Sequence, residues 1–161
     1  ENVQVEKALD LSDKTLLKEV KLSWISNQTI ALQQSGELQE LSIDHAAGLT
    51  LQMPQSEMFK KLWLEETNIS EIDLTGCPNV EEIVLEVHGA ESVMPKILTK
   101  TLTGLKKVTL QGNSSNASSG AYVLDSFNIA GADQLESLYI VDMPNYTVNL
   151  NWFPNLRYTN L

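Results

Sequence analysis

Three carboxylates recur along the chain at one fixed interval, and they are the first residues whose types indicate chemistry. Asp44, Glu65 and Glu86 are each separated by 21 residues. If the chain repeats with that period, equivalent residues on neighbouring strands lie ~4.8 Å apart. Stacked like charges are unfavourable unless a cation compensates them, and carboxylate oxygens are the ligands that calcium prefers. The column is therefore either a cation site or an ordinary acidic face, and we favour the second because the sequence has no D-x-D-x-D-G loop.

The other reactive residue types do not form a catalytic arrangement. Neither histidine, His45 or His88, has a serine or cysteine nucleophile at a matching position. The single cysteine, Cys77, excludes an internal disulfide, and it falls in a column of small or apolar residues, which predicts a buried thiol. P-loop, G-x-G-x-x-G, G-x-S-x-G, H-E-x-x-H and paired C-x-x-C motifs are absent. We therefore predict that the chain is not an enzyme, and we assign no catalytic, cofactor-binding or metal-ligating residue.

The elements that position these residues are repeats. The motif L-x-x-L-x-L, with any aliphatic residue or Phe at each L, begins at residues 17, 38, 59, 80, 105, 135 and 156. The intervals are 21, 21, 21, 25, 30 and 21 residues, and the last copy has Thr159 at one apolar position. A second apolar pair precedes each start by eight and six residues, as in Ile30/Leu32 and Ile72/Leu74. A third column, three residues before each start, is mostly small or apolar: Ser35, Ser56, Cys77, Leu102, Ala132 and Phe153.

This periodicity predicts a leucine-rich-repeat solenoid. Each unit makes one turn of a coil, and neighbouring turns stack because one unit cannot bury its apolar side alone. We expect a β-rich, right-handed coil with a parallel sheet on one face and little helix. Residues 1–161 should form a single domain of about seven units, as a fragment of a longer chain.

Alternation along each strand predicts an outward face. The leading column holds Glu19, Glu40, Lys61, Glu82, Lys107, Ser137 and Tyr158; the middle column holds Lys21, Ser42, Trp63, Val84, Thr109, Tyr139 and Asn160; and the trailing column holds Ser23, Asp44, Glu65, Glu86, Gln111 and Val141. The candidate binding face comprises Lys21, Ser42, Asp44, Lys61, Trp63, Glu65, Val84, Glu86, Thr109 and Tyr139. Trp63 and Val84 should lie side by side in solvent. Trp63 is either a contact anchor or a residue that simply packs over its neighbours.

Composition limits the partners. A net charge of −10 and a pI of about 4.5 argue against nucleic acid, which needs a basic footprint, and against an anionic membrane surface. No stretch approaches the ~20 apolar residues of a membrane span, so no membrane insertion is predicted within this segment.

The segments ISEIDLTGCPNVEEIVL (69–85) and NWFPNLRYTNL (151–161) resemble the leucine-rich-repeat surface proteins common in Bacteroidetes, whose repeats run as L-x-x-L-D-(L/V)-(S/T)-x-(C/N)-P-x-L-x-x-L. The matching residues are Ile69, Ile72, Asp73, Leu74, Thr75, Cys77, Pro78, Asn79 and Val80. The asparagine that many such repeats place after the strand appears only at Asn113. The resemblance implies a secreted or cell-surface location, a role in recognition or adhesion, and no catalytic residues.

Three functions remain open at this point. The chain is a recognition module that binds protein or glycan through its strand face, a structural spacer in a larger surface protein, or a carbohydrate-active parallel β-helix. The last would need three strands per turn, whereas two apolar strand signals are visible per unit.

The insertions and the end of the chain carry further predictions. Pro95, followed by good helix formers and then Gly104, predicts a short helix, and the Ser/Asn/Gly-rich stretch 111–122 predicts a solvated loop. Because Leu161 falls on a strand position, we also expect edge association through the last strand.

Overall fold

The computed structural model of the chain describes residues 9–11, 13–26, 28–88, 94–99, 102–113, 132–143 and 149–161. These residues form a β-solenoid of about six turns, with parallel sheets and almost no helix. The strands are β1 (Leu9–Asp10), β2 (Glu19–Ser26), β3 (Thr29–Ala31), β4 (Glu40–Ala47), β5 (Thr50–Gln52), β6 (Lys61–Thr67), β7 (Glu71–Asp73), β8 (Glu82–Glu86), β9 (Lys96–Leu98), β10 (Lys107–Gln111), β11 (Ser137–Val141) and β12 (Tyr158–Asn160). A short 3-10 helix covers Leu150–Trp152.

The main sheet contains seven parallel strands in the order β12-β11-β10-β8-β6-β4-β2. Its register follows the repeat: Lys21 pairs with Ser42, which pairs with Trp63, and the same column continues to Asn160. The pairing of β10 with β11 joins residues 30 positions apart without a shift in register. The predicted columns are therefore confirmed, and the extra residues of the two long units do not shift the register of the strands.

Short strands form the opposite side of the coil. β1, β3 and β5 make one three-stranded parallel sheet, and β7 and β9 make a two-stranded one. Each of these strands carries the first member of an apolar pair that recurs before each repeat, and Ile30, Ile72 and Ile97 are almost completely buried. In the turns where both sides are described, each turn contributes two strands. A parallel β-helix, the fold of the enzyme alternative, would have three strands per turn.

The core is one continuous apolar cluster between the two sides. All six members of the third column are buried, as the sequence predicts. Three of them also bond to a backbone carbonyl of the preceding turn: Ser35 Oγ to Leu11 O at 3.1 Å, Ser56 Oγ to Gly36 O at 2.6 Å and Cys77 Sγ to Pro54 O at 3.3 Å. These donors link successive turns inside an otherwise apolar interior, where an unpaired hydroxyl would be costly.

The prediction of a short helix after Pro95 is wrong for the part of that segment that the structure describes. Lys96–Leu98 forms β9 and pairs with β7 through Ile72 and Ile97. The buried apolar position of the repeat outweighs local helix propensity, which is a weak preference that tertiary packing overrides. Most of the predicted loop at 111–122 lies outside the described residues.

The last strand, β12, lies at one end of the main sheet and pairs only with β11 among the described strands. Its three residues are all exposed. Association through this edge stays a prediction. No helix among the described residues is long and apolar enough to cross a membrane.

Candidate functional site

The leading column carries a charge-alternating ladder across β6, β8 and β10. Glu82 lies between Lys61 and Lys107, with carboxylate–ammonium distances of 3.3 and 2.8 Å. Burial opposes ionisation of Glu82, but hydrogen bonds from Lys107 and Lys61, together with their charges, outweigh it and lower its pKa. The ladder stabilises this end of the sheet because each charge lies beside one of opposite sign on the adjacent strand.

A second ladder lies one residue earlier in the same turns. Glu81 accepts from Lys106 at 2.7 Å and pairs with Lys60 at 2.9 Å. Hydrogen bonds from Lys106 and Lys60 lower the pKa of the Glu81 carboxyl. Across these three turns, four lysines and two glutamates therefore alternate at the edge of the face where the strands begin, so that each charge has a neighbour of opposite sign.

The middle column contains a small pocket beside Trp63. Its volume is about 150 Å³, and its lining residues are Glu19, Lys21, Glu40, Leu41, Ser42, Lys61 and Trp63. Ser42 is the short side chain of the column, and it leaves a gap between Lys21 and Trp63 on the adjacent strands. Four predicted face residues thus meet at one site: Lys21, Ser42, Lys61 and Trp63.

The walls of this pocket combine an aromatic ring with charges of both signs. Trp63 is 36% exposed, and the Lys61 ammonium lies 5.4 Å from the ring centroid, within cation–π range. Lys21 Nζ lies 2.6 Å from Glu19 Oε1, and this hydrogen bond raises the pKa of Lys21. The pocket therefore offers one apolar surface and hydrogen-bonding groups at its rim.

The prediction that Val84 stands in solvent beside Trp63 is wrong. Val84 is only 4% exposed. It is paired with Trp63 on one side and Thr109 on the other, and its short side chain is flanked by both neighbours. Thr109 and Tyr139 continue the column and are half-buried, so the exposed aromatic contact on this part of the face is Trp63 rather than a Trp–Val–Tyr stripe.

The trailing column brings three carboxylates together, as the spacing predicts. Asp44, Glu65 and Glu86 are paired in register on β4, β6 and β8, and all three are half-buried. Within the described part of the chain, no lysine or arginine forms an ion pair with any of them. Asp44 instead contacts His45 Nδ1, and His88 Nε2 lies 3.7 Å from Glu86 Oε2. The sequence analysis assigns neither histidine to this column, and the structure places both beside it.

An exposed aromatic pair at the strand ends was missed by sequence reasoning. Trp24 is 60% exposed and stacks on His45, with ring centroids 4.0 Å apart and an angle of 23° between the rings. Strict alternation places Trp24 on the inward side, after Val20 and Leu22. The residue at this repeat position adopts positive φ in Trp24, His45, Glu66 and Asp142 (50–57°), and it drops out of the strand pairing between β2 and β4. The kink turns this side chain outward and the following one, such as Ala46 or Thr67, inward.

Gly112 fills the same repeat position, but its backbone does not adopt positive φ. A side chain there would approach Asp142 O at 2.4 Å, so the backbones of two turns come too close for a Cβ atom. The glycine therefore marks a close approach between two turns and not the left-handed kink.

Cys77 is completely buried, as predicted. Burial raises the pKa of its thiol to about 11, so the group is a neutral packing residue.

No protein-family model matches the chain, and no curated protein or solved structure is similar enough to it to count as a match. The resemblance to leucine-rich-repeat surface proteins therefore stays a prediction, and a functional proposal has to rest on the chain's own geometry.

Proposed function

We propose that the chain is a non-catalytic recognition module of the leucine-rich-repeat type, which binds a protein or glycan ligand through its strand face. The observation that carries this proposal is the pocket formed by Lys21, Ser42, Lys61 and Trp63 on β2, β4 and β6. The repeat resemblance adds the expectation of a secreted or cell-surface location and a role in adhesion.

The size of the pocket indicates which ligand groups it can bind. At about 150 Å³ it is smaller than the roughly 300–1,000 Å³ of sites that enclose a whole small molecule. It fits one side chain of a protein ligand or one sugar ring of a glycan, with the rest of the ligand lying across neighbouring strands. An exposed tryptophan at the wall suits either, because aromatic side chains dominate binding energy at interfaces.

The test is a binding screen of the folded chain against extracellular-matrix proteins and glycans, followed by Trp63→Ala. We expect saturable binding that the substitution weakens tenfold or more, which corresponds to about 1.4 kcal/mol. Ser42→Phe is a second test, because a large side chain at this exposed column fills the pocket while Trp63 remains in place.

Trp152→Ala is the matched control. Trp152 is 48% exposed but lies on the 3-10 helix, away from the strand face, so its loss should leave binding unchanged. Equal losses in both tryptophan variants would move the site off the strand face. The absence of any binding by the folded wild type would favour the alternative function, a structural spacer in a larger surface protein.

A further inference from the structure

We propose that Glu65, Glu86 and His88 form a binding site for a divalent transition-metal ion of the zinc class. The site lies at the trailing ends of β6 and β8, and no part of it belongs to the Trp63 pocket. The proposed metal site therefore does not depend on ligand binding at the Trp63 pocket.

The geometry brings three ligand atoms to one point. Glu65 and Glu86 are direct neighbours in the parallel register of β6 and β8, and His88 follows Glu86 by two residues at the strand end. One carboxylate oxygen from each glutamate and one imidazole nitrogen lie within 4.8 Å of one another. Ligand atoms around a tetrahedral zinc ion are about 3.3 Å apart, so the three atoms need to approach one another by no more than about 1.5 Å.

The donor set selects the class of ion. Two carboxylate oxygens and one neutral imidazole nitrogen match zinc and similar first-row ions, whereas calcium and magnesium prefer oxygen ligands only. Three protein ligands also leave a coordination position for water or for an oxygen of a bound partner. The calcium interpretation of Asp44, Glu65 and Glu86 does not include His88, so the two interpretations predict different ion preferences.

The backbone of His88 is fixed from both neighbouring turns. Its N–H donates to the Glu66 carboxylate, and its carbonyl accepts from the side-chain amide of Asn113. Both contacts leave the imidazole ring free to bind an ion. Anchoring the residue in this way lowers the conformational entropy that ordering a ligand would otherwise cost.

The electrostatic surroundings favour a cation. Glu65 and Glu86 are half-buried neighbours of like charge, and Asp44 extends the column by one more carboxylate. In the part of the chain that the structure describes, lysines neutralise Glu82 at the other end of β8, but no lysine or arginine pairs with Glu65 or Glu86. A divalent ion supplies the missing positive charge and removes the repulsion between the two carboxylates.

The experiment is calorimetric titration of the chelator-treated chain with Zn²⁺, and with Ca²⁺ and Mg²⁺ as comparison ions. We expect one zinc ion per chain, bound more tightly than calcium or magnesium. His88→Ala and Glu65→Gln should each weaken zinc binding at least tenfold. The visible absorption of bound Co²⁺ gives a second readout, since its intensity depends on the coordination geometry, and it should be lost in His88→Ala.

His45→Ala is the matched control. It removes the other histidine, which lies beside Asp44 and stacks on Trp24, and it should leave zinc affinity unchanged. Circular dichroism verifies that each variant remains folded, and the surface positions of His45 and His88 make that the expected result. Zinc affinity that is unaffected by His88→Ala, or that falls equally in His45→Ala, would overturn the proposal, as would tighter binding of calcium than of zinc.

Discussion

The strand β8 carries a glutamate at each end of its outer face, and the two lie in opposite electrostatic surroundings. Glu82 lies between Lys61 and Lys107 on the adjacent strands, whereas Glu86 lies between Glu65 and Gln111. Both residues are half-buried and belong to the same five-residue strand. The difference therefore comes from the neighbours that the repeat places beside each position, and it shows that only one end of the face is arranged for stability.

The uncompensated end holds the proposed metal site, whereas the Trp63 pocket is lined by Lys61 of the ladder. Stacked carboxylates lower the stability of a sheet slightly, and among the described residues only histidines lie within ion-pair distance of them. The contrast between Glu82 and Glu86 therefore separates a structural contribution from a binding one within a single strand, and it can be tested with matched substitutions.

The largest effect on the free energy of unfolding is expected for Ile83, the core residue of β8 that lies between the two glutamates. Ile83 points into the core between them and is completely buried. Ile83→Ala should lower the free energy of unfolding by about 2–5 kcal/mol, because it removes buried methyl groups and leaves a cavity. Urea denaturation measures this change, and Ile83→Val should cost only ~0.5–1.5 kcal/mol. A loss below 1 kcal/mol for the alanine variant would mean that β8 is not held by the common core.

A smaller loss is expected from Glu82→Gln. Its two lysine partners lose their counter-charge, and solvent screening limits the loss to about 0.5–1 kcal/mol. Because the pKa of Glu82 is lowered below its ordinary value of 4.5, its contribution is present above that value and disappears as pH falls through the folded pKa. The difference in stability between wild type and Glu82→Gln should therefore vanish in strong acid. A difference that is constant down to low pH would show that the ion pairs contribute nothing.

The smallest effect, with the opposite sign, is expected from Glu86→Gln in metal-free buffer. Removing one of two stacked carboxylates should raise the free energy of unfolding by about 0.2–0.5 kcal/mol. The gain should shrink at high salt, which screens repulsion between exposed charges. The measurement is the shift in urea midpoint relative to Glu82→Gln under identical conditions. Destabilisation of equal size in both variants would remove the contrast between the two ends.

Much of the architecture could be predicted from the sequence, because register and burial follow from periodicity. The columns, the buried third column and the alignment across the 25- and 30-residue units all follow from apolar residues at fixed intervals. The short helix after Pro95 was wrongly predicted, because helix propensity acts locally whereas the buried position of Ile97 is set by the neighbouring turn.

The candidate site was predicted only in part, because exposure depends on the size of neighbours and on kinks. Val84 occupies an outward position but is buried between Trp63 and Thr109. Trp24 is exposed because a left-handed residue interrupts alternation. The position of His88 beside Glu86 depends on where β8 ends, and strand ends are the least certain part of any pattern.

The alignment of β10 with β11 has a consequence for how the chain can grow. The two strands keep their register although 30 residues separate paired positions, where other turns use 21. The entropy of closing a loop rises only with the logarithm of its length, so nine added residues cost roughly 0.3 kcal/mol. Insertions at this point are therefore close to neutral for folding, and the solenoid can acquire new sequence between strands while the face that it presents stays unchanged.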